Sequence, residues 1–203
     1  MTRLREAGLR VSAPVAGLIS DSNAVLVIDS DGVVIELAEV PTDLPDAAFA
    51  GIRISAADAL ATARFLTAIG FVEVEAPRRA HVTDDQMFPG GTGEGAECVV
   101  TRFALPEDQH QFTLTVVQHP DTGQHPLPDG GNSQGLYRCA LRVENMEKAL
   151  SCLPDFVERL RGPVWCPLPG TKIEGLYVAF MRSPDGVVFE FVERPLKHFT
   201  REL

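Results

Sequence analysis

The stretch Asp31-Gly32-Val33-Val34-Ile35-Glu36-Leu37 recurs 154 positions later as Asp185-Gly186-Val187-Val188-Phe189-Glu190-Phe191, so the chain is internally repeated. Both copies follow an apolar run and contain an Asp-Gly pair, which predicts a β-hairpin whose turn needs a glycine with positive φ. Side chains alternate along the second strand of each hairpin. The apolar ones therefore share one face, and a carboxylate, Glu36 or Glu190, lies on the other. A carboxylate on a mostly apolar strand is expected to have a partner.

Composition and charge exclude several classes of protein. Of the 203 residues, 45% are hydrophobic and 23% are charged, which is ordinary for a globular protein. The net charge of −10 argues against binding to nucleic acid or to an anionic membrane, because both need basic patches. No apolar stretch approaches the ~20 residues that span a bilayer, and the first residues lack the apolar core of a signal peptide. We therefore expect a cytoplasmic protein.

The four cysteines are scattered along the chain without a Cys-x-x-Cys pair, at positions Cys98, Cys139, Cys152 and Cys166. Cys98 and Cys139 lie inside strand-like runs. This pattern favours reduced, buried thiols over a disulfide framework or a zinc site.

The segments between and around the hairpins predict two similar modules. The first has a strand at 52–55, a helix at 56–69 that Gly70 ends, and strands at 71–74, 98–103 and 112–117. A linker rich in Pro, Gly and Asp follows at 119–135. The second has a strand at 137–143, a helix at 144–153, a strand near 164–165 and the terminal hairpin. The prediction is an α+β fold with β-α-β-β-β modules at 48–118 and 136–196.

Residues 1–40 match only the back end of such a module. They contain a last helical turn that ends at Gly8, a short strand at 9–11 and the first hairpin. We interpret this segment as a partial module, the tail of a preceding domain of the same type. An isolated hairpin is marginally stable, so this one is expected to pair with another sheet within the chain or across a dimer interface.

Three motifs carry a resemblance to a known family. They are Phe65-Leu66-Thr67-Ala68-Ile69-Gly70-Phe71, the opening Arg142-Val143-Glu144-Asn145-Met146-Glu147-Lys148-Ala149-Leu150, and the ending Ser183-Pro184-Asp185-Gly186-Val187-Val188-Phe189-Glu190. With the tandem modules, they resemble the vicinal oxygen chelate superfamily, which includes glyoxalase I, bleomycin-resistance proteins and extradiol dioxygenases. The resemblance covers residues 48–196 as a paired domain and implies modules that form a curved, mixed sheet around a cavity.

The resemblance also implies positions for a divalent metal. Alignment on the helix starts and Asp-Gly turns puts the ligand positions at Gly51, Thr115, Arg138 and Glu190. Only Glu190 is a good ligand, because Gly has no side chain, Thr binds weakly and Arg is a permanent cation. The expected metal site is therefore degenerate. Glu190 is the candidate for a metal ligand or catalytic base if the activity of the superfamily is retained.

Strand alternation places five polar side chains on the face of the implied cavity, namely Arg53, Thr115, Arg138, Arg142 and Glu190. Three arginines against one carboxylate give this face a net positive charge. Fixed guanidinium groups suit recognition of a carboxylate or phosphate, so these residues are candidates for substrate binding. The alternative is structural. Arg138 then pairs with Glu190 where a metal would bind, and Arg53 and Arg142 reach solvent.

Two further features concern the edge of the cavity. Trp165 lies between the turn signals Pro163 and Pro167, and is expected either to fill the edge of the core or to stack on a ligand. The glycine-rich segment 84–95 carries the apolar pair Met87-Phe88. It is expected to be a mobile flap over the cavity or a disordered loop.

These patterns favour a homo-oligomeric protein that binds a small anionic molecule, with no nucleic-acid or membrane partner. No cofactor is implied unless the metal chemistry of the superfamily is kept. One alternative is a metal-dependent lyase, isomerase or dioxygenase whose ligands are completed by another chain or module. A second alternative is a structural, oligomer-forming module.

Overall fold

The computed structural model describes residues 2–19, 22–39, 49–91, 93–108, 112–122, 136 and 138–194. Within these ranges the chain forms three four-stranded sheets and four short helices, and the sheets mix parallel and antiparallel pairs. The α+β class predicted from the sequence is confirmed. Hydrogen bonding runs within each sheet rather than through one continuous sheet.

The helices are α1 (Thr2–Glu6), α2 (Ala59–Ala68), α3 (Asp84–Met87) and α4 (Met146–Ser151). The N-terminal sheet contains β1 (Arg10–Val11), β2 (Val15–Ala16), β3 (Asn23–Ile28) and β4 (Val34–Ala38). The middle sheet contains β5 (Gly51–Ser55), β6 (Val72–Thr83), β7 (Gly95–Ala104) and β8 (Thr113–Gln118). The C-terminal sheet contains β9 (Arg138–Val143), β10 (Glu158–Pro167), β11 (Gly175–Arg182) and β12 (Val188–Glu193).

The middle and C-terminal sheets have the same topology. Their strand orders are β5-β8-β7-β6 and β9-β12-β11-β10, and in each the first strand pairs in parallel with the last. Each sheet is therefore one β-α-β-β-β module. The N-terminal sheet has the order of the last three strands of such a module, with β1 and β2 both paired to β3 and β4 on its other edge.

The internal repeat has the same local structure in both copies. Gly32 and Gly186 have φ values of 83° and 82°, so each Asp-Gly pair makes the turn that the sequence predicts. Gly70 ends α2 with a φ of 108°, and Gly8 follows α1 with a φ of 80°. These four positions need glycine because a side chain strains a backbone with positive φ.

Contacts divide the chain into two compact units. Unit 1 contains residues 1–60 and 71–126, and unit 2 contains residues 61–70 and 127–203. Unit 1 therefore joins the N-terminal sheet to the middle sheet. Within the described residues β4 hydrogen-bonds only to β3, so the first hairpin does not pair with another sheet of this chain, and its pairing across a dimer interface stays a prediction.

The core of unit 2 confirms which face of its sheet the sequence assigns to the helices. Phe189 on β12 is fully buried and packs on Phe65 of α2, with ring centroids 5.3 Å apart. Thr62 of the same helix donates a hydrogen bond to the carboxylate of Asp185 in the terminal hairpin. Glu190, one residue from Phe189, consequently lies on the opposite face of the strand.

Unit 1 has an apolar cluster on one face of its middle sheet. Val82, Cys98, Val100 and Val117 come from the sheet, and Leu18 from the N-terminal segment packs against them with Met87 of α3. The glycine-rich segment therefore begins with a folded helix, and its Met87 covers the cluster. Residue 92 of that segment lies outside the described residues.

Several strands differ in length from the sequence prediction. β6 extends to Thr83 and β10 begins at Glu158, because both contain register shifts that hide their alternation. The predicted linker lies outside the described residues from 123 to 135. None of the described helices has the length and apolar character needed to cross a membrane.

All four cysteines are free. Cys98 is buried, as expected for a strand position, but Cys139 and Cys166 are half-buried and Cys152 is exposed after α4. The prediction of buried thiols thus holds fully only for Cys98.

Candidate functional site

A row of polar side chains crosses the middle sheet on the face of the apolar cluster. Arg53 of β5 pairs with Thr115 of β8, Thr115 with Arg102 of β7, and Arg102 with Glu75 of β6. Residues directly opposite each other on neighbouring strands share a face, so we call these four residues the polar row. All four belong to unit 1.

Arg53 is held at one end of the row by main-chain carbonyls. Its Nη1 and Nη2 donate to the oxygens of Gln86 and Met87, at 3.2 and 2.9 Å. Burial lowers the pKa of the Arg53 guanidinium, and the negative charge of Glu36 partly offsets that shift. A desolvated guanidinium with donors to spare suits a second negative group close by.

Glu36 is the carboxylate that the repeat motif places on β4. Its Oε2 accepts from the main-chain nitrogen of Leu18 at 3.0 Å, and both of its oxygens accept from the nitrogen of Ile19 at 3.2 Å. The expected partner of this carboxylate is therefore main-chain amide, with Arg53 as its charged neighbour.

Arg102 links the row to the N-terminal segment. Its Nη2 donates to the carbonyl of Leu18 at 3.2 Å, and its Nη1 lies 3.7 Å from Oε2 of Glu75. The side chain is only 13% exposed. Arg102 was not among the residues predicted from the sequence. Its position on the same face as Arg53 depends on how β7 and β5 each pair with β8, and the sequence does not give that register.

Thr115 lies between the two arginines and is completely buried. Its hydroxyl has no hydrogen-bond partner among the described residues. Such a group costs about 1–3 kcal/mol when it is left unpaired in a protein interior. An unsatisfied hydroxyl between two guanidinium groups is a position where a small polar ligand or a water completes the hydrogen bonding.

Unit 2 contains the other predicted arginines. Nε of Arg138 lies 3.4 Å from Oε2 of Glu190, so these two side chains approach each other as predicted. Arg138 is half exposed, whereas the Glu190 side chain is only 13% exposed. Arg142 is engaged elsewhere, because its Nη1 donates to Glu144 and to the carbonyl of Arg194.

Trp165 lies on the other face of the C-terminal sheet. It pairs with Tyr177 of β11. Tyr177 and Met181 lie on the same face of β11, because they are four residues apart, and Met181 pairs with Phe189. Its ring meets that of Tyr177 edge to face, with centroids 5.1 Å apart, and it is 49% exposed. Trp165 therefore shares the helix-covered face and is separated by the sheet from Glu190.

Two further arginines, which were not predicted from the sequence, lie on the same face as Glu190. Arg161 is paired across β11 with Phe180, which is the partner of Glu190, and Arg182 is paired with Val188. Arg182 lies 3.7 Å from Glu158. The register shifts of β10 around Arg161 broke the alternation that could have identified it.

The residues present do not fit a divalent metal of the kind the resemblance implies. A Cβ at position 51 would collide with the carbonyl oxygen of Thr113, so no ligand side chain can occupy that position. Glu190 faces the permanent cation of Arg138, and Glu36 is held by amides beside Arg53. No cluster of three His, Cys, Asp or Glu that could hold a metal occurs among the described residues.

Solved structures with a similar fold include glyoxalases. Glyoxalase I from Zea mays superposes with a TM-score of 0.61 at 15% identity, covering 95% of this chain and 62% of that one. A glyoxalase family protein from Enterococcus faecalis gives 0.48 at 20% identity, with coverage of 71% and 95%. A glyoxalase/dioxygenase from Nostoc punctiforme gives 0.47 at 18%, with coverage of 77% and 99%.

The chain therefore has a fold similar to that of glyoxalase I, which is the kind of fold that the resemblance of the sequence motifs implies. At these identities the likeness concerns the fold, and the chain spans about three fifths of the length of the maize enzyme. No family model matches the sequence, and no curated protein matches it.

Proposed function

We propose that this chain is a glyoxalase-like binding protein that holds a small anionic molecule at the polar row of unit 1 and does not use the divalent metal of its fold family. The observation that carries the proposal is the buried hydroxyl of Thr115, which lacks a partner among the described residues and lies in register between Arg53 and Arg102. Two guanidinium groups and a hydroxyl can together donate to the oxygens of a carboxylate or phosphate.

The surroundings of the row favour an anion over a neutral ligand. Arg53 is largely desolvated, and its two contacts to carbonyls leave further N–H donors. In a partly dry site a charge-assisted hydrogen bond is worth about 1.5–3 kcal/mol. Each such contact then changes affinity by roughly one to two decades.

Entry of the anion requires α3 to move. Met87 packs over the apolar cluster beside the row, and the main chain of α3 occupies two donors of Arg53. The ligand oxygens replace these carbonyls as the acceptors of Arg53 when α3 lifts. This role makes α3 and the residues up to 91 a lid over the site.

The test is binding of phosphate and small carboxylates by calorimetry and thermal shift. Wild type should bind at least one of them saturably, and Arg53→Ala and Thr115→Val should weaken that binding about tenfold or more. Arg79→Ala is the matched control, because Arg79 lies on the same sheet, is exposed and points to the opposite face. If wild type shows no anion response, the arginines are structural and the proposal is wrong.

Elemental analysis tests the metal half of the proposal. Protein purified without chelator should contain far less than one equivalent of Fe, Zn, Ni or Mn, because the ligand positions hold Gly51, Thr115, Arg138 and Glu190. A stoichiometric metal that Glu190→Ala removes would instead favour a metal-dependent enzyme.

A further inference from the structure

Unit 2 contains a cleft of about 540 Å³ on the helix-covered face of its sheet, opposite the face of Glu190. Helix α4 forms one wall, and the strands β10, β11 and β12 form the other. Its apolar lining comes from Met146, Leu150, Pro163 and the ring of Tyr177. The superfamily cavity is expected on the other face, so this cleft belongs to no site described above.

Glu193 and Tyr177 line the cleft, and the ring of Trp165 lies beside Tyr177. Val143 pairs with Glu193 of β12, and Tyr177 pairs with Trp165. The pairing of Val178 with Val192 places Tyr177 opposite Glu193 on the neighbouring strand. Glu193, Tyr177 and Trp165 therefore form a continuous row across the sheet.

Glu193 is fixed in place and keeps one oxygen available. Its Oε2 accepts a hydrogen bond from the main-chain nitrogen of Met146 at 2.6 Å, at the start of α4. Its Oε1 has no hydrogen-bond partner among the described residues. Glu147, the next residue of the helix, adds a second carboxylate to the lining of the cleft.

Among the described residues, the one cation that lines the cleft lies away from Glu193. Arg159 donates through Nη2 to the carbonyls of Leu150 and Leu153, at 2.8 and 3.3 Å, near the end of α4. The end beside Tyr177 and Glu193 is thus negative and aromatic. Carboxylates and aromatic faces together recognise ammonium groups, through charge-assisted hydrogen bonds and cation–π contacts.

We propose that this cleft is a binding site for a small organic cation, an amine with a short apolar body. The ammonium group contacts Glu193 and Glu147, and the apolar body packs on Tyr177, Met146 and Leu150. This ligand class differs in charge from the anion proposed for the polar row, and the two sites lie in different units, so either proposal can fail without the other.

The test uses the intrinsic fluorescence of Trp165, the single tryptophan of the chain. Hexylamine hydrochloride at neutral pH is the probe, and hexanoate, with the same apolar body and opposite charge, is the control ligand. Hexylamine should change the emission saturably with roughly millimolar affinity, as expected for a ligand of about seven non-hydrogen atoms. Hexanoate should bind at least about tenfold more weakly.

Glu193→Gln is the decisive variant, because Gln keeps an oxygen for the Met146 amide and loses the charge. It should weaken hexylamine binding about tenfold. Glu158→Gln removes an exposed carboxylate from the opposite face of the same sheet and should bind as wild type does. If Glu193→Gln does not fold by circular dichroism, Glu147→Gln should show a loss of several-fold instead.

Three results overturn the proposal. They are the absence of a saturable change with hexylamine, binding of hexanoate as tight as that of hexylamine, and equal affinity in wild type and the folded glutamate variant.

Discussion

At the residue scale, Thr115 is the most informative side chain. Its buried hydroxyl has no partner among the described residues, so Thr115→Val should remove an unpaired polar group without leaving a cavity. We expect the ligand-free protein to become more stable by about 1 kcal/mol, a rise in Tm of about 2–4 °C. Thermal unfolding in buffer without phosphate or carboxylate measures this. A loss of stability would mean that the hydroxyl already has a partner such as a bound water.

The pair Arg138 and Glu190 makes a second prediction at this scale. Glu190 is mostly buried and Arg138 is half exposed. Removing the arginine therefore leaves a shielded carboxylate without its cation. We expect Arg138→Ala to destabilise the protein by about 1 kcal/mol and the double variant Arg138→Ala/Glu190→Gln to be less destabilised than Arg138→Ala alone. Urea denaturation of wild type, both single variants and the double variant gives the coupling. If the losses of unfolding free energy in the two single variants simply add up in the double variant, the predicted coupling of Arg138 and Glu190 is wrong.

Cys139 supplies a prediction that depends on pH. Burial raises the pKa of its thiol from 9.0 to about 11, so the folded protein keeps a proton that the unfolded chain releases between these values. Stability from this group is complete below pH 9 and is lost as the pH rises toward 11.

The thiolate is also the reactive form, so iodoacetamide at pH 8 should label the exposed Cys152 well before Cys139. Labelling of Cys139 should then accelerate toward pH 11. Mass spectrometry of tryptic peptides measures both rates. Equal labelling at pH 8 would contradict the shielding of Cys139.

At the element scale, α3 depends on Arg53 more than on its own length. A helix of four residues has little intrinsic stability, and Arg53 binds the carbonyls of its last two residues. Arg53→Ala should therefore increase hydrogen exchange at the Phe88 amide, which bonds to Asp84, by about tenfold. Exchange measured by mass spectrometry on the peptide covering 84–91 reports this, with Arg79→Ala as the control. Unchanged exchange would show that Met87 packing alone holds α3.

The contact between β5 and β8 is also an element-scale constraint. Gly51 lies against the backbone of Thr113, and any Cβ there meets its carbonyl oxygen. Gly51→Ala should force the two strands apart and destabilise the protein by roughly 1–3 kcal/mol. Ser55→Ala, at the exposed end of the same strand, should change stability by less than about 0.5 kcal/mol. Chemical denaturation compares the two.

At the scale of the whole molecule, the N-terminal sheet is part of unit 1 and completes its core. Leu18 packs on the apolar cluster, its carbonyl accepts from Arg102, and its amide donates to Glu36. Deleting residues 1–40 should expose this cluster, bind a hydrophobic dye and lower Tm, since burial of one leucine is worth about 1.5–3 kcal/mol. A truncated protein that stays soluble with an unchanged Tm would show the segment to be an appendage. Homo-oligomerisation stays a prediction.

Much of the fold could be predicted from the sequence because the signals are local. The Asp-Gly turns, the alternation of β12 and the glycine that ends α2 each depend on a few neighbouring residues, and the structure has them where the sequence places them. The approach of Arg138 to Glu190 followed from the same alternation, because the parallel neighbours β9 and β12 are both regular.

The tertiary structure alone decided the candidate sites. The polar row needs the register of four strands that are far apart in sequence, so Arg102 could not be assigned next to Arg53 and Thr115 beforehand. Two bulges in β10 put Arg161 on the other face from Arg159 and Trp165, which concealed it. A bulge shifts every later side chain to the other face, and sequence periodicity does not reveal where it occurs. The sequence thus determined the modules and their turns, and long-range pairing determined which side chains meet.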